Sequence, residues 1–255
     1  MTQGEREASQ AAAEMAELEE SRNAWRAVPM RLFNILLSID FYILAVYAFF
    51  LLMGKADRPW FVLVNPGVEP NPPTWFSSMQ LFLLSLGLLM LASGLLPMRR
   101  RVWNLRRLWL VLGFVFMYMS MDEGGQVHER LRPILQWFHF NVNFRDEKRW
   151  AFFYLLVAVV LVFVLRRQLL QAWRTVRTES FLFVAGFVTW VTGGVGVELL
   201  MRKYFMKGMA KMLTKGVSEG LEMVGVTIMV LAVYRLVAYV MSSGPDADVE
   251  PTPEA

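Results

Sequence analysis

Six stretches of this chain are each apolar for about the length that a helix needs to cross a hydrocarbon layer, roughly 20 residues. They run from Arg31 to Met53, Ser77 to Pro97, Leu108 to Met121, Trp150 to Leu165, Phe181 to Met201 and Ser218 to Met241. A chain with six such runs has few choices. In lipid each segment must satisfy its own backbone hydrogen bonds, and a helix does so. The expected fold class is therefore all-α, a polytopic membrane bundle of about six transmembrane helices. The third and fifth runs are the weakest as simple spans, because acids interrupt their C-terminal ends.

Composition agrees. Hydrophobic residues make up 56% of the chain and charged residues only 19%, below the ~25% usual for soluble domains. There is no Cys, which excludes disulfides, thiolate-bound zinc, cysteine-ligated iron–sulfur clusters and a cysteine nucleophile. Two His exclude a histidine-rich metal centre. No phosphate-binding loop, Gly-x-Ser-x-Gly elbow or His-Glu-x-x-His is present.

Charge divides the chain into three parts. Residues 1–30 read as an acidic tail, rich in Glu to residue 20, followed by an interfacial segment. Residues 31–241 form the transmembrane domain. Residues 242–255 carry four acids and no base and read as a disordered acidic tail. The part between residues 21 and 241 is strongly basic. In a membrane protein this points to loops touching anionic lipid headgroups rather than to nucleic acid. Arg-rich loops after the second and fourth runs place both termini in the cytoplasm, with the cell (inner) membrane as the expected location. Trp60 and Trp75 suit interfacial anchors, and so does the aromatic segment around His139.

Six acids set the functional expectation. Asp122, Glu123 and Glu129 lie at the C-terminal end of the third run, Glu198 at that of the fifth, and Glu219 and Glu222 at the start of the sixth. The third and fifth runs go one way and the sixth returns, so all six acids and His128 reach one membrane face. At about 100° per residue, a helix continuing past Met121 puts Asp122, Gly125 and Glu129 on one stripe, with His128 roughly 60° to the side. Glu123 points nearly opposite. Glu219 and Glu222 are neighbours at i and i+3. Gly193, Gly194, Gly196, Gly220 and Gly225 permit close helix approach.

Ionised acids at membrane depth are costly unless paired or metal-bound. Asp122, His128, Glu129, Glu198, Glu219 and Glu222 are therefore the expected ligands of a divalent metal ion, with iron, manganese or zinc as candidates. Acids paired with basic loop residues are the plain structural reading. The most concrete functional expectation is a metal-dependent enzyme on a lipid or membrane-associated substrate, with Glu129 or Glu222 as general base. The alternatives are a cation or proton transporter or channel, and a non-catalytic subunit or assembly factor working with other membrane subunits.

Two further features stand apart. Asp40 lies about nine residues into the first run, and counting depth from the span ends pairs it with Arg235, with a proton relay as the alternative. Met206, Met209 and Met212 offer thioethers for Cu(I), but residues 201–215 read equally well as an amphipathic helix on the bilayer surface.

Overall fold

The computed structural model describes residues 2–66, 71–96, 100–127, 149–197, 200–201, 204 and 207–243. Among them there is no strand. The elements are α1 (Gln3–Leu52), a short 3₁₀ turn (Pro59–Leu63), α2 (Pro72–Ser93), α3 (Arg100–Trp103), α4 (Arg106–Gly125), α5 (Arg149–Thr175), α6 (Arg177–Val191) and α7 (Gly208–Ser243). A π-helical turn over Thr192–Val197 continues α6. Among the described residues, five helices are long and apolar enough to cross a membrane: α1, α2, α5, α6 with its π turn, and α7. The sixth, α4, has Arg106 and Arg107 at one end and Asp122 and Glu123 at the other, so its apolar centre is short.

Local chemistry sets the helix ends. Thr2 and Glu5 form a reciprocal capping box at the start of α1. Asn71 caps α2: its Oδ1 accepts from the Thr74 backbone N–H and hydroxyl, each at 2.9 Å. Its Nδ2 donates to the carbonyls of Val62, at 3.2 Å, and of Asn65, tying the preceding loop to the helix. Pro72 and Pro73 follow at positions where no intrahelical N–H bond is lost. Gly94 closes α2 in the left-handed conformation. Gln126 closes α4 with φ of 51°.

That last stop corrects a sequence expectation. The third run does not continue as one helix through Glu129. The Gly124–Gly125 pair ends α4, and the left-handed Gln126 redirects the chain. The helical stripe expected to run on from Asp122 therefore stops at Gly125, and Glu129 lies outside the described residues. A second correction concerns residues 208–215. They are the first turns of α7 rather than a separate surface helix. Met212 packs with Tyr47, Leu51 and Phe61 in a small apolar cluster, while Met209 is exposed.

The helices alternate in direction, as their contacts show. The Ser78 hydroxyl donates to the Ser120 carbonyl at 2.7 Å and the Ser120 hydroxyl returns a bond to the Ser78 carbonyl at 2.8 Å. Ser85 donates to Gly113 at 2.8 Å, and Arg106 Nε to the Ala92 carbonyl at 2.6 Å. These bonds run α2 and α4 antiparallel along their whole length. Helix α7 is the central element. Val226, Met229, Val230, Val233, Leu236, Val237 and Val240 on it are buried. It runs antiparallel to α1, where Tyr47 lies over Gly216 and Leu44 over Gly220, and antiparallel to α6. It runs parallel to α2, whose Gly87 meets Val233 and Tyr234. Helix α5 is peripheral. Leu165, Ala172 and Val176 tie that side of the chain to the core, and most of its outer residues are exposed.

Glycines set the α6–α7 spacing. A Cβ on Gly225 would stand 2.5 Å from the Trp190 backbone nitrogen and 2.7 Å from the Gly186 carbonyl oxygen. Backbone cannot swing aside as a side chain can. Gly225→Ala is expected to lower stability by roughly 1–3 kcal/mol through overpacking. Gly4→Ala, with nothing within 4 Å, should be neutral. Thermal unfolding of the purified variants in detergent checks both.

Candidate functional site

Asp40, Gln80 and Thr227, one each from α1, α2 and α7, meet in the bundle interior, and all three are fully buried. The Gln80 Nε2 group donates to Asp40 Oδ1 at 2.8 Å and to Thr227 Oγ1 at 2.8 Å. The Thr227 hydroxyl donates to Asp40 Oδ2 at 2.8 Å. Each carboxylate oxygen thus accepts one bond from a neutral donor, and no cationic side chain among the described residues pairs with it. Gln80 Oε1 is buried with no hydrogen-bond partner among the described residues. The centre therefore combines a carboxyl without a counter-ion and an acceptor without a donor, both away from water. Such groups are costly unless a proton or cation offsets them.

The expected Asp40–Arg235 ion pair is not formed. Asp40 is level with Thr227, and Arg235 lies eight residues further along α7, about 12 Å at the helical rise. Arg235 Nε instead faces Glu179 Oε1 on α6 at 3.7 Å. Depth counted from the ends of the apolar runs failed here because those ends are not level: with Asp40 opposite Thr227, Arg31 falls level with Leu236, five residues short of the run's end at Met241. The two residues that do hold Asp40 are uncharged, and a search for partners by charge passes over them. The available signal was a lone Gln within the apolar stretch of α2.

At the end of the bundle where α1 finishes and α7 begins, the structure places three of the six expected metal ligands. Asp122 is buried in the last turn of α4. Glu219 forms an ion pair with Lys215 at 2.5 Å, one turn earlier on α7. Glu222 packs against the π turn that ends α6: its Cγ lies 2.9 Å from where a Gly193 Cβ would stand, and its Oε2 3.3 Å from that of Gly194. The buried Ser218 hydroxyl donates to the Gly193 carbonyl at 2.8 Å, locking the same two helices together. His128, Glu129 and Glu198 lie outside the described residues, as do Met206 and His139. Among the described residues no three acids or imidazoles come together as a metal-binding group. Helix α4 reaches this end chiefly beside α2, and Phe116 touches Phe183 of α6 at a ring separation of 6.0 Å.

The hydrogen-bond geometry has a measurable consequence. Asp40→Asn and Thr227→Val should be strongly non-additive in unfolding free energy, with a coupling of about 0.5–3 kcal/mol. Asp40→Asn and Arg235→Gln should add within a few tenths of a kcal/mol, as distant sites do. Double-mutant cycles by denaturant titration in a fixed detergent separate the two results.

A family model described as a domain of unknown function, DUF8692, matches residues 32–237. No curated protein and no solved structure matches the chain. The matched region runs from the apolar part of α1 into the last turns of α7, and so contains the Asp40–Gln80–Thr227 centre and the acidic end. On that span the chain belongs to the DUF8692 family.

Proposed function

We propose that this membrane helix bundle handles protons or small cations, with Asp40 as the carboxyl that takes up and releases the charge. One observation carries this reading: among the described residues, a fully buried Asp40 on α1 is held by neutral donors from α2 and α7 alone. A structural carboxylate at this depth would be expected to sit against Arg or Lys, because the cost of an ionised acid in hydrocarbon is several kcal/mol. A carboxyl that must change charge is better served by neutral partners. The hydroxyl and amide here can hydrogen-bond either form, and a half-turn of the Gln80 amide would offer Oε1 to a protonated Asp40. Asp122, Glu219 and Glu222 lie on the same side as the C-terminus of α1 and would offer carboxylates at one mouth, with Lys215 paired to Glu219.

Transport across vesicles tests this. Purified protein is reconstituted into liposomes with a pH-reporting dye inside, and an imposed pH gradient is followed. The wild type should dissipate the gradient faster than empty vesicles. Asp40→Asn, which keeps the shape but cannot lose a proton, should fall to the empty-vesicle rate. Equal rates for wild type and Asp40→Asn would sink the reading.

A second reading has support of its own. The contact of Glu222 with Gly193 and Gly194 brings the end of α6 against the start of α7, and Glu198 follows directly after the π turn. Asp122 and Glu219 lie at the same end, and together with His128, Glu129 and Glu198 of the sequence they would make an oxygen-rich donor set with one imidazole, suited to iron, manganese or zinc. A bound metal would make hydrolytic or oxidative chemistry on a lipid substrate available, with Glu129 or Glu222 as base. Under this reading, purified protein carries metal by elemental analysis, and Ala at Glu129, Glu198 or Glu222 lowers its stoichiometry while thermal unfolding stays cooperative. Wild-type protein without bound metal after purification in metal-supplemented buffer would count against it.

A further inference from the structure

At the opposite end of the bundle α1, α6 and α7 line an open groove of about 510 Å³. Its polar lining is Arg26 of α1, Glu179 of α6, and Arg235, Tyr239 and Ser242 of α7, while Met30 and Leu231 contribute apolar surface. We infer that this groove binds the phosphate of an anionic phospholipid, with Arg26 and Arg235 as its ligands.

Depth is the first argument. Asp40 lies within two residues of the middle of the apolar run Arg31–Met53. Counting along the helices at about 1.5 Å per residue, Arg235 stands about 12 Å and Arg26 about 21 Å from that level. Half of the hydrocarbon layer is about 15 Å, so the two guanidinium groups bracket the depth at which lipid phosphates lie. Charge is the second. Two Arg face one Glu, and the Arg235–Glu179 contact is long, at 3.7 Å, with the Arg235 side chain 46% exposed. Arg26 is exposed and has no ion-pair partner among the described residues. The excess positive charge suits a phosphodiester, which guanidinium forks bind through two parallel N–H···O bonds. Chemistry at the rim is the third. Tyr239 is partly exposed beside the arginines, as is usual at a membrane interface. The exposed Met30 and neighbouring Leu231 offer apolar surface for the first methylenes of an acyl chain. This site is independent of the Asp40 reading and lies at the other end of the molecule.

Lipid retention measures it. The full chain is purified in a non-ionic detergent, mixed with phosphatidylglycerol or phosphatidylcholine, and bound lipid is counted by native mass spectrometry. The wild type should retain phosphatidylglycerol in preference. Arg26→Gln and Arg235→Gln should each weaken that binding about fivefold, the value of one basic contact at a membrane surface. Arg167→Gln, an exposed arginine elsewhere, should leave it unchanged. Equal retention of the two lipids, or phosphatidylglycerol binding unaltered in both groove variants, would overturn the inference. Displacement of the lipid by inorganic phosphate at matched concentration would also overturn it, by showing a site for a free anion. Because Arg26 lies outside the packed core, Arg26→Gln keeps the test valid should Arg235→Gln unfold.

Discussion

The close approach of α7 to its neighbours is the constraint on which the rest of the bundle rests. In a bilayer there is little hydrophobic reward for bringing helices together, since lipid tails are as apolar as Leu. Helix association then depends on how near backbones can come and on hydrogen bonds between them. Gly225 lets α7 touch the α6 backbone, and Gly216 and Gly220 let Tyr47 and Leu44 of α1 lie flat on it. The Tyr47 hydroxyl donates to the Met212 carbonyl at 2.7 Å, fixing how far α1 can slide. Once α1 and α7 are held at that register, Asp40 is level with Thr227. With α2 seated by Gly87 against Val233 and Tyr234, Gln80 arrives at the same level.

The polar groups left inside this packing follow a clear division. Between α2 and α4 the hydroxyls bond backbone carbonyls, in the Ser78–Ser120 and Ser85–Gly113 contacts, while the buried Trp109 Nε1 of α4 has no partner among the described residues. These hydroxyl bonds hold helices and need no further partner. The Asp40 centre is different in kind: it contains an ionisable group, and its amide oxygen has no donor among the described residues. A bundle that only had to be stable would gain from replacing these three residues with apolar ones of similar volume. The two ends also differ: where α7 begins Glu219 is paired with Lys215, while where α7 finishes Arg26 and Arg235 line a groove with Glu179.

The sequence by itself determined the fold class, because long apolar runs can do little in water and must be helical in lipid. It also put Asp122 at the end of the third run on the same side as Glu219 and Glu222 at the start of the sixth, since that follows from alternation of direction alone. Asp40 stood out for the same reason, as an acid within an apolar run. What only the tertiary structure decided was which groups meet. Asp40 is bound by Gln80 and Thr227 rather than by Arg235, because register comes from glycine contacts and not from distance to a run's end. The helix that was to carry Asp122 and Glu129 on one stripe stops at Gly125, because Gln126 takes the left-handed conformation, which periodicity does not register. Arg235, read as an internal counter-ion, faces Glu179 and lines an open groove at the other end of the bundle instead. Hydropathy is a property of each segment and is written in the chain. Partnership between polar groups depends on the relative depth and rotation of separate helices, and packing alone sets those.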